Sequence, residues 1–158
     1  LGHEQKPVDW TTPLGFLVRQ KYQNTKTMLI QTMLGEKVSH IKWKEPQSGL
    51  DKIRQANGIS PNFVHSLDAA VAQSTANYAK EHGIHSLAMV HDSFATHCNN
   101  CDKLGVLIRK SAAEIFQPDL LAKFRDEIGN QTEKELPNLP PYGSLDPLEV
   151  LGSDYFFA

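Results

Sequence analysis

Between Ser60 and Phe116 the sequence sets out a helix, a short apolar run, a polar interruption and a second helix, and this order constrains the fold more than any other feature of the chain. Ser60 precedes Pro61, which pairs an N-cap residue with a proline at the first helical position, where a missing N–H does no harm. From there Phe63, Leu67, Ala70, Val71, Ser74 and Tyr78 recur at helical spacing until Gly83 ends the run. Ile84 to Val90 then reads as a buried strand. His91-Asp92-Ser93 interrupts it and Phe94 to His97 can return as a second strand, so a hairpin with its tip at His91-Asp92-Ser93 is expected. A second helix is predicted from about Asp102 to Phe116, with Leu104, Leu107, Ile108 and Ile115 on one face and Pro118 as its stop. Another helical stretch covers roughly Asp119 to Ile128.

The flanks differ from this middle. Residues 1–57 mix Pro, Gly and β-formers: Trp10 to Gly15 reads as a turn, Phe16 to Val18 as a short strand, and Thr27 to Leu34 with Lys37 to Trp43 as a hairpin around Gly35. Lys44 to Gly49 (KEPQSG) is expected to be a surface loop. After Glu135 the character changes again, with three of the nine prolines packed into LPNLPPY, then a helical turn or two in SLDPLEVL. These shifts divide the chain into a β-rich segment (1–57), a central unit with the His-Asp hairpin (58–135) and a C-terminal extension (136–158). The closing Tyr155-Phe156-Phe157-Ala158 is apolar and is expected to dock rather than face water.

Composition narrows the functional classes. Apolar residues make up 40% and charged residues 22% of 158 residues, an ordinary globular balance. Lys plus Arg number 16 against 18 Asp plus Glu, a formal charge of −2, which counts against a nucleic-acid binder acting alone. No apolar run is long enough to span a membrane, and LGHEQKPVDW lacks the apolar core of a signal peptide. The chain opens on Leu1 rather than Met, as a processed product or the tail of something longer would. Two cysteines make no disulfide framework, which suits a reducing compartment.

Three groups of residues could carry chemistry. His91-Asp92 at a hairpin tip would hold a carboxylate outward on a fixed backbone, a pose suited to magnesium with its preference for hard oxygen ligands; the plainer alternative is a turn aspartate bonding its own backbone. His65 and Asp68 share a helix face, where His65 could bond a ligand edge or simply be satisfied by Asp68. His97-Cys98-Asn99-Asn100-Cys101 contains a C-x-x-C, short of the four donors of a structural zinc site and open to a redox reading at a helix start. The basic residues Arg19, Lys21, Lys26, Lys37, Lys42 and Lys44 could line a phosphate-facing strip or a solvated hairpin face.

Taken in order, NGISPNFVHSLDAA (57–70), SLAMVHDSFATH (86–97) and LPNLPPYGSLDPLEVLGSDYFFA (136–158), with DWTTPLGFLV near the start, resemble the C-terminal region of single-subunit, phage-type RNA polymerases, the family that also transcribes mitochondrial DNA. The resemblance covers nearly the whole chain. It implies an α+β fold that forms the C-terminal palm and fingers portion of a right hand, with an antiparallel hairpin packed against helices, and template-directed ribonucleotidyl transfer by a two-magnesium mechanism. Such chemistry uses two metals about 3.5–4 Å apart on the attacking and leaving oxygens. Asp92 matches a catalytic, metal-binding aspartate of the family, and His91 precedes it there too and helps set the turn. The second carboxylate would come from outside this chain. His65, with Ser66 and Asp68 of the same helix, would lie at the nucleotide and product end, and the tail residues Phe156, Phe157 and Ala158 would fold back towards the active site.

The partners so implied are a DNA template, nascent RNA, ribonucleoside triphosphates and the upstream remainder of a polymerase, with no membrane. The family's first palm aspartate, its nucleotide-binding fingers helix and its promoter-recognising domain would stand upstream of residue 1. The chain therefore reads as a fragment, inactive alone. Its compartment would be the cytoplasm of a phage-infected bacterium or, alternatively, the mitochondrial matrix. A fragment of a family A DNA polymerase is the nearest rival, although those enzymes usually continue with Glu after His-Asp, where Ser93 stands here. A non-catalytic module that binds zinc or a protein partner is the reading from a different class.

Overall fold

In the computed structural model, residues 6–132 and 135–156 are described. Among them the chain is α+β, with three separate two-stranded antiparallel sheets and three α-helices. Strand β1 (Val8–Thr11) pairs with β2 (Leu17–Gln20), β3 (Gln23–Leu34) with β4 (Lys37–Leu50), and β5 (Leu87–Val90) with β6 (Ser93–Thr96). Helices α1 (Lys52–Glu81), α2 (Cys101–Phe116) and α3 (Leu120–Gly129) carry most of the packing. No helix among the described residues is long and apolar enough to cross a membrane.

Helix α1 is the spine. It begins at Lys52, not at Pro61: Asp51, and not Ser60, is the N-cap, its carboxylate accepting the Arg54 N–H at 3.0 Å. Pro61 therefore lies inside the helix, where it withdraws one donor from the ladder. Packing outweighs that loss. The Gln20 and Gln55 side chains each donate to the other's backbone carbonyl, at 2.8 and 3.0 Å, and the Asn62 amide donates to Gln20 Oε1 and to the Tyr22 hydroxyl. Gly58 has to be small here, since a Cβ would come within 2.6 Å of the Tyr22 ring. The helix ends with Gly83 at φ +79, as its position in the sequence suggests.

Two centres of packing sit on α1. Its N-terminal half carries Phe63 into an aromatic cluster with Trp10 of β1 and Phe124 of α3, ring centroids 4.3–6.4 Å apart. Its C-terminal half buries Ala70, Val71 and Ala79 against Leu104, Leu107, Ile108, Ala112 and Ile115 of α2, with Ile84 beside them. Helix α3, N-capped by Asp119, clamps β1: the Thr11 N–H donates to Glu127 Oε2 at 2.6 Å, and the Gln131 amide bonds both the N–H and the carbonyl of Asp9. That amide acts as a substitute strand along β1.

Several expectations need correction. Trp10 and Thr11 belong to β1, and the turn is Thr12 to Phe16, closed by Thr12 N–H to the Phe16 carbonyl at 2.9 Å. The 44–49 stretch is no loop, because it continues β4 opposite β3 with a register irregularity between Gln23 and Thr25. The run before the His-Asp tip is neither as long nor as buried as expected. Only Leu87–Val90 is strand, and Met89 and Val90, on opposite faces of it, are 42% and 69% exposed, because nothing among the described residues covers either face near the tip. In the extension, Pro147–Gly152 forms a 3-10 turn capped by Asp146. The Arg109 guanidinium donates to the carbonyls of Ser153 and Asp154, and Phe156 packs on the α1–α2 clusters. Phe157 and Ala158 lie outside the described residues.

Candidate active site

Asp92 occupies the tip of the shortest hairpin. The register pairs Val90 with Ser93 and Leu87 with Thr96, leaving His91-Asp92 as a two-residue loop. Such loops twist correctly only when the first central residue adopts positive φ, and His91 does so at φ 55, alone among the described non-glycine residues. Histidine tolerates that region better than most residues, yet the backbone is still strained there. The turn thus holds the Asp92 carboxylate out into solvent. Among the described residues nothing hydrogen-bonds or ion-pairs with that carboxylate. By contrast, Asp51, Asp119 and Asp146 each accept a backbone N–H as caps. The self-bonded turn aspartate of the plainer reading is not what this hairpin forms.

The foot of the hairpin is fixed although its tip is not covered. Leu87 and Phe94 pack against the cluster of Ala79, Ile84, Leu104, Leu107 and Ile108. Phe156 packs on the same cluster, so the described end of the tail and the base of the Asp92 hairpin share one apolar platform.

His65 and Ser66 lie elsewhere, in a cleft of about 280 Å³ between the β1–β2 hairpin and α1. His65 is exposed there and makes no bond to Asp68, which is also exposed and does not line the cleft. Ser66 is buried and fully engaged: its hydroxyl donates to the Phe63 carbonyl at 2.7 Å and accepts the Trp10 indole N–H at 3.0 Å. Arg19, one of the basic residues that could have lined a phosphate-facing strip, lines the same cleft together with Gln20 and Asn62, which the sequence did not single out. Their signal is positional, with Asn62 one helical turn before His65 and Gln20 ending β2 alongside it. The Arg19 guanidinium grips Asp9 through two nitrogens, 2.8–3.1 Å from the carboxylate oxygens, which raises its already high pKa. The structure therefore brings His65 and Ser66 together and leaves His91 and Asp92 on a separate element.

A magnesium site needs oxygen donors, and Asp92 supplies one free carboxylate of the right chemistry. No group of three or more His, Cys, Asp or Glu side chains able to hold a metal gathers among the described residues. Asp92 fits the role of one ligand in a larger set, and not of a complete site. Cys98 and Cys101 are both exposed and free, and the Cys101 thiol faces the His97 carbonyl at 3.6 Å.

A sequence model described as DNA-dependent RNA polymerase matches residues 2–136. DNA-directed RNA polymerase 1A of Nicotiana tabacum is 37% identical over 99% of this chain and 99% of its own length. The mitochondrial DNA-directed RNA polymerase 1 of Nicotiana sylvestris is 37% identical and the chloroplastic/mitochondrial polymerase 2 of Arabidopsis thaliana 35% identical. Each of these two aligns over 99% of this chain, which spans 15% of their length. With a family match over most of its residues, and relatives that align along its whole course, the chain belongs to the single-subunit, phage-type DNA-dependent RNA polymerase family.

Proposed function

We propose that this chain supplies Asp92 as one of the metal-binding carboxylates of a single-subunit RNA polymerase, and that it serves template-directed ribonucleotidyl transfer on DNA. The observation that carries this reading is the Asp92 hairpin. An unpartnered carboxylate stands on a strained two-residue turn, in a chain of a family whose named relatives are DNA-directed RNA polymerases. Magnesium, when bound, would stabilise charge on the reacting phosphate and the attacking and leaving oxygens. The residues of this chain do the positioning. The left-handed His91 backbone aims Asp92 outward, and the Leu87 and Phe94 anchors hold the hairpin on the helical platform. His65, open in its cleft beside Arg19 and Asn62, offers a ring nitrogen to a sugar or base edge at the product end.

The remaining parts follow from that role. The second carboxylate, the fingers helix and the template channel would come from a longer polymerase in which this segment forms the C-terminal palm and fingers portion of a right hand. Ribonucleoside triphosphates, template DNA and nascent RNA are then its ligands. Relatives named mitochondrial or chloroplastic support an organelle over the cytoplasm of a phage-infected bacterium.

The test is Asp92→Asn in the polymerase that contains this segment together with the upstream region. Nucleotide addition should fall at least about a hundredfold, the scale of removing one electrostatic stabiliser of a reacting centre, while DNA binding stays unchanged. Synthesis at near wild-type rate would remove Asp92 from the metal site.

A further inference from the structure

We infer that Cys98 and Cys101 form a reversible dithiol–disulfide site at the junction of β6 and α2. The reading is independent of the role given to Asp92. A 3-10 turn over Cys98–Asn100 is closed by the Cys101 N–H donating to the Cys98 carbonyl. The ends of such a turn lie within about 7 Å between Cα atoms, and a disulfide spans about 4.4–6.8 Å, so the backbone already holds the pair at bridging range. Both thiols are free and exposed, as a small oxidant requires.

The turn is also held from both sides. His97 accepts the Asn100 N–H at 2.9 Å, the Lys103 ammonium donates to the His82 carbonyl at 2.5 Å, and Leu104 is buried one turn into α2. Closing the bridge therefore orders little that is not already ordered. A metal is the competing use of two cysteines and a histidine. His97, Cys98 and Cys101 do not gather as such a site among the described residues, and the Cys101 thiol is turned towards the His97 backbone.

The co-reactant is a low-molecular-weight disulfide, RSSR. One cysteine thiolate attacks a sulfur of RSSR, breaking its S–S bond and releasing RS⁻. The second thiolate attacks the protein sulfur of the mixed disulfide and expels the other RS⁻. Two electrons pass from the cysteines to RSSR, and the two protons they surrender end on the released thiols.

The experiment equilibrates the full chain with graded ratios of oxidised to reduced glutathione, then counts free thiols and adducts by mass after maleimide labelling. The expected result is joint loss of both thiols in the monomer, with loss of two hydrogen masses, no glutathione adduct, and full reversal by dithiothreitol. Cys98→Ser and Cys101→Ser should each turn the bridge into one stoichiometric glutathione adduct. Four outcomes overturn the site: both thiols still free at the most oxidising ratio, two separate adducts on the unaltered chain, dimers in place of an internal bridge, or stoichiometric zinc that blocks oxidation.

Discussion

At the scale of single residues, neighbours within one sequence motif have divided their labour. The resemblance groups His65 and Ser66 at one functional end, but the structure gives Ser66 a packing role. Its hydroxyl is the acceptor for the indole N–H of Trp10, a residue only 2% exposed. Ser66→Ala would leave that donor buried without a partner and should destabilise the chain by about 1–3 kcal/mol in urea unfolding, whereas His65→Ala, on an exposed position, should change stability by less than about 0.5 kcal/mol. Equal effects would show that the Trp10 bond carries no weight. His91 permits a second test. Left-handed backbone costs an ordinary L-residue about 1–2 kcal/mol, and more when the side chain is branched at Cβ. His91→Gly should therefore retain or strengthen the β5–β6 hairpin, and His91→Val should weaken it, read by cross-strand NOEs between Leu87–Val90 and Ser93–Thr96. The tip was legible from His-Asp-Ser alone. The strain at His91 was not, because φ depends on the two-residue loop length that the register sets.

At the scale of elements, legibility followed how local the deciding interactions were. Helix α2 and helix α3 start within a residue of where periodicity and proline place them, because their apolar faces, and for α3 the Asp119 cap, are written in adjacent residues. The start of α1 was misread by nine residues. Ser60-Pro61 is a persuasive local signal, and the contacts that override it come from Gln20 and Tyr22 in another part of the chain. The β4 stretch through Pro46 was misread for the same reason, since strand pairing there depends on Thr25 and Lys26 across the hairpin.

One long-range contact also yields a pH dependence. The Tyr142 hydroxyl donates to Asp119 Oδ1, which also accepts the Ala122 N–H at 2.8 Å, and so ties the proline-rich extension to the first turn of α3. These bonds, the tyrosine's first, hold the Asp119 carboxyl below its usual range and push Tyr142 above the usual tyrosine value. A lowered carboxyl pKa means stabilisation that is present above the ordinary Asp range and is lost as pH falls through the depressed value. The raised phenol works in the opposite direction, with its contribution lost only as pH rises through the elevated value. The tether should therefore persist across neutral pH and release at both extremes. Tyr142→Phe should return the Asp119 titration, followed by carboxyl carbon NMR, towards the ordinary range. An unmoved titration would mean that the α3 cap alone sets it.

At the scale of the whole molecule, stability is concentrated along α1 while much apolar surface lies elsewhere. The β3–β4 hairpin places Met28, Ile30, Ile41 and Trp43 on one face, all between 37% and 55% exposed, and Trp43 pairs directly with Met28. These side chains stand opposite one another across the ladder and gain little burial. Trp10, by contrast, joins β1, α1 and α3 in one cluster. The same residue type therefore reports two regimes within one chain. Trp10→Ala should cost about 3–5 kcal/mol, as truncation of a buried aromatic does, and should lower the midpoint of cooperative unfolding. Trp43→Ala should leave that midpoint unchanged within the error of a surface substitution, about 0.5 kcal/mol. Amide exchange supplies the matching measurement. The β3–β4 amides should exchange by local opening at much lower free energy than those of α1 between Ala70 and Ala79, because a two-stranded ladder without a covering layer opens without disturbing the helical core. If both tryptophan variants unfold at the same midpoint, and both sets of amides exchange at the same free energy, the hairpin belongs to the cooperative unit. The core would then extend beyond the α1 spine.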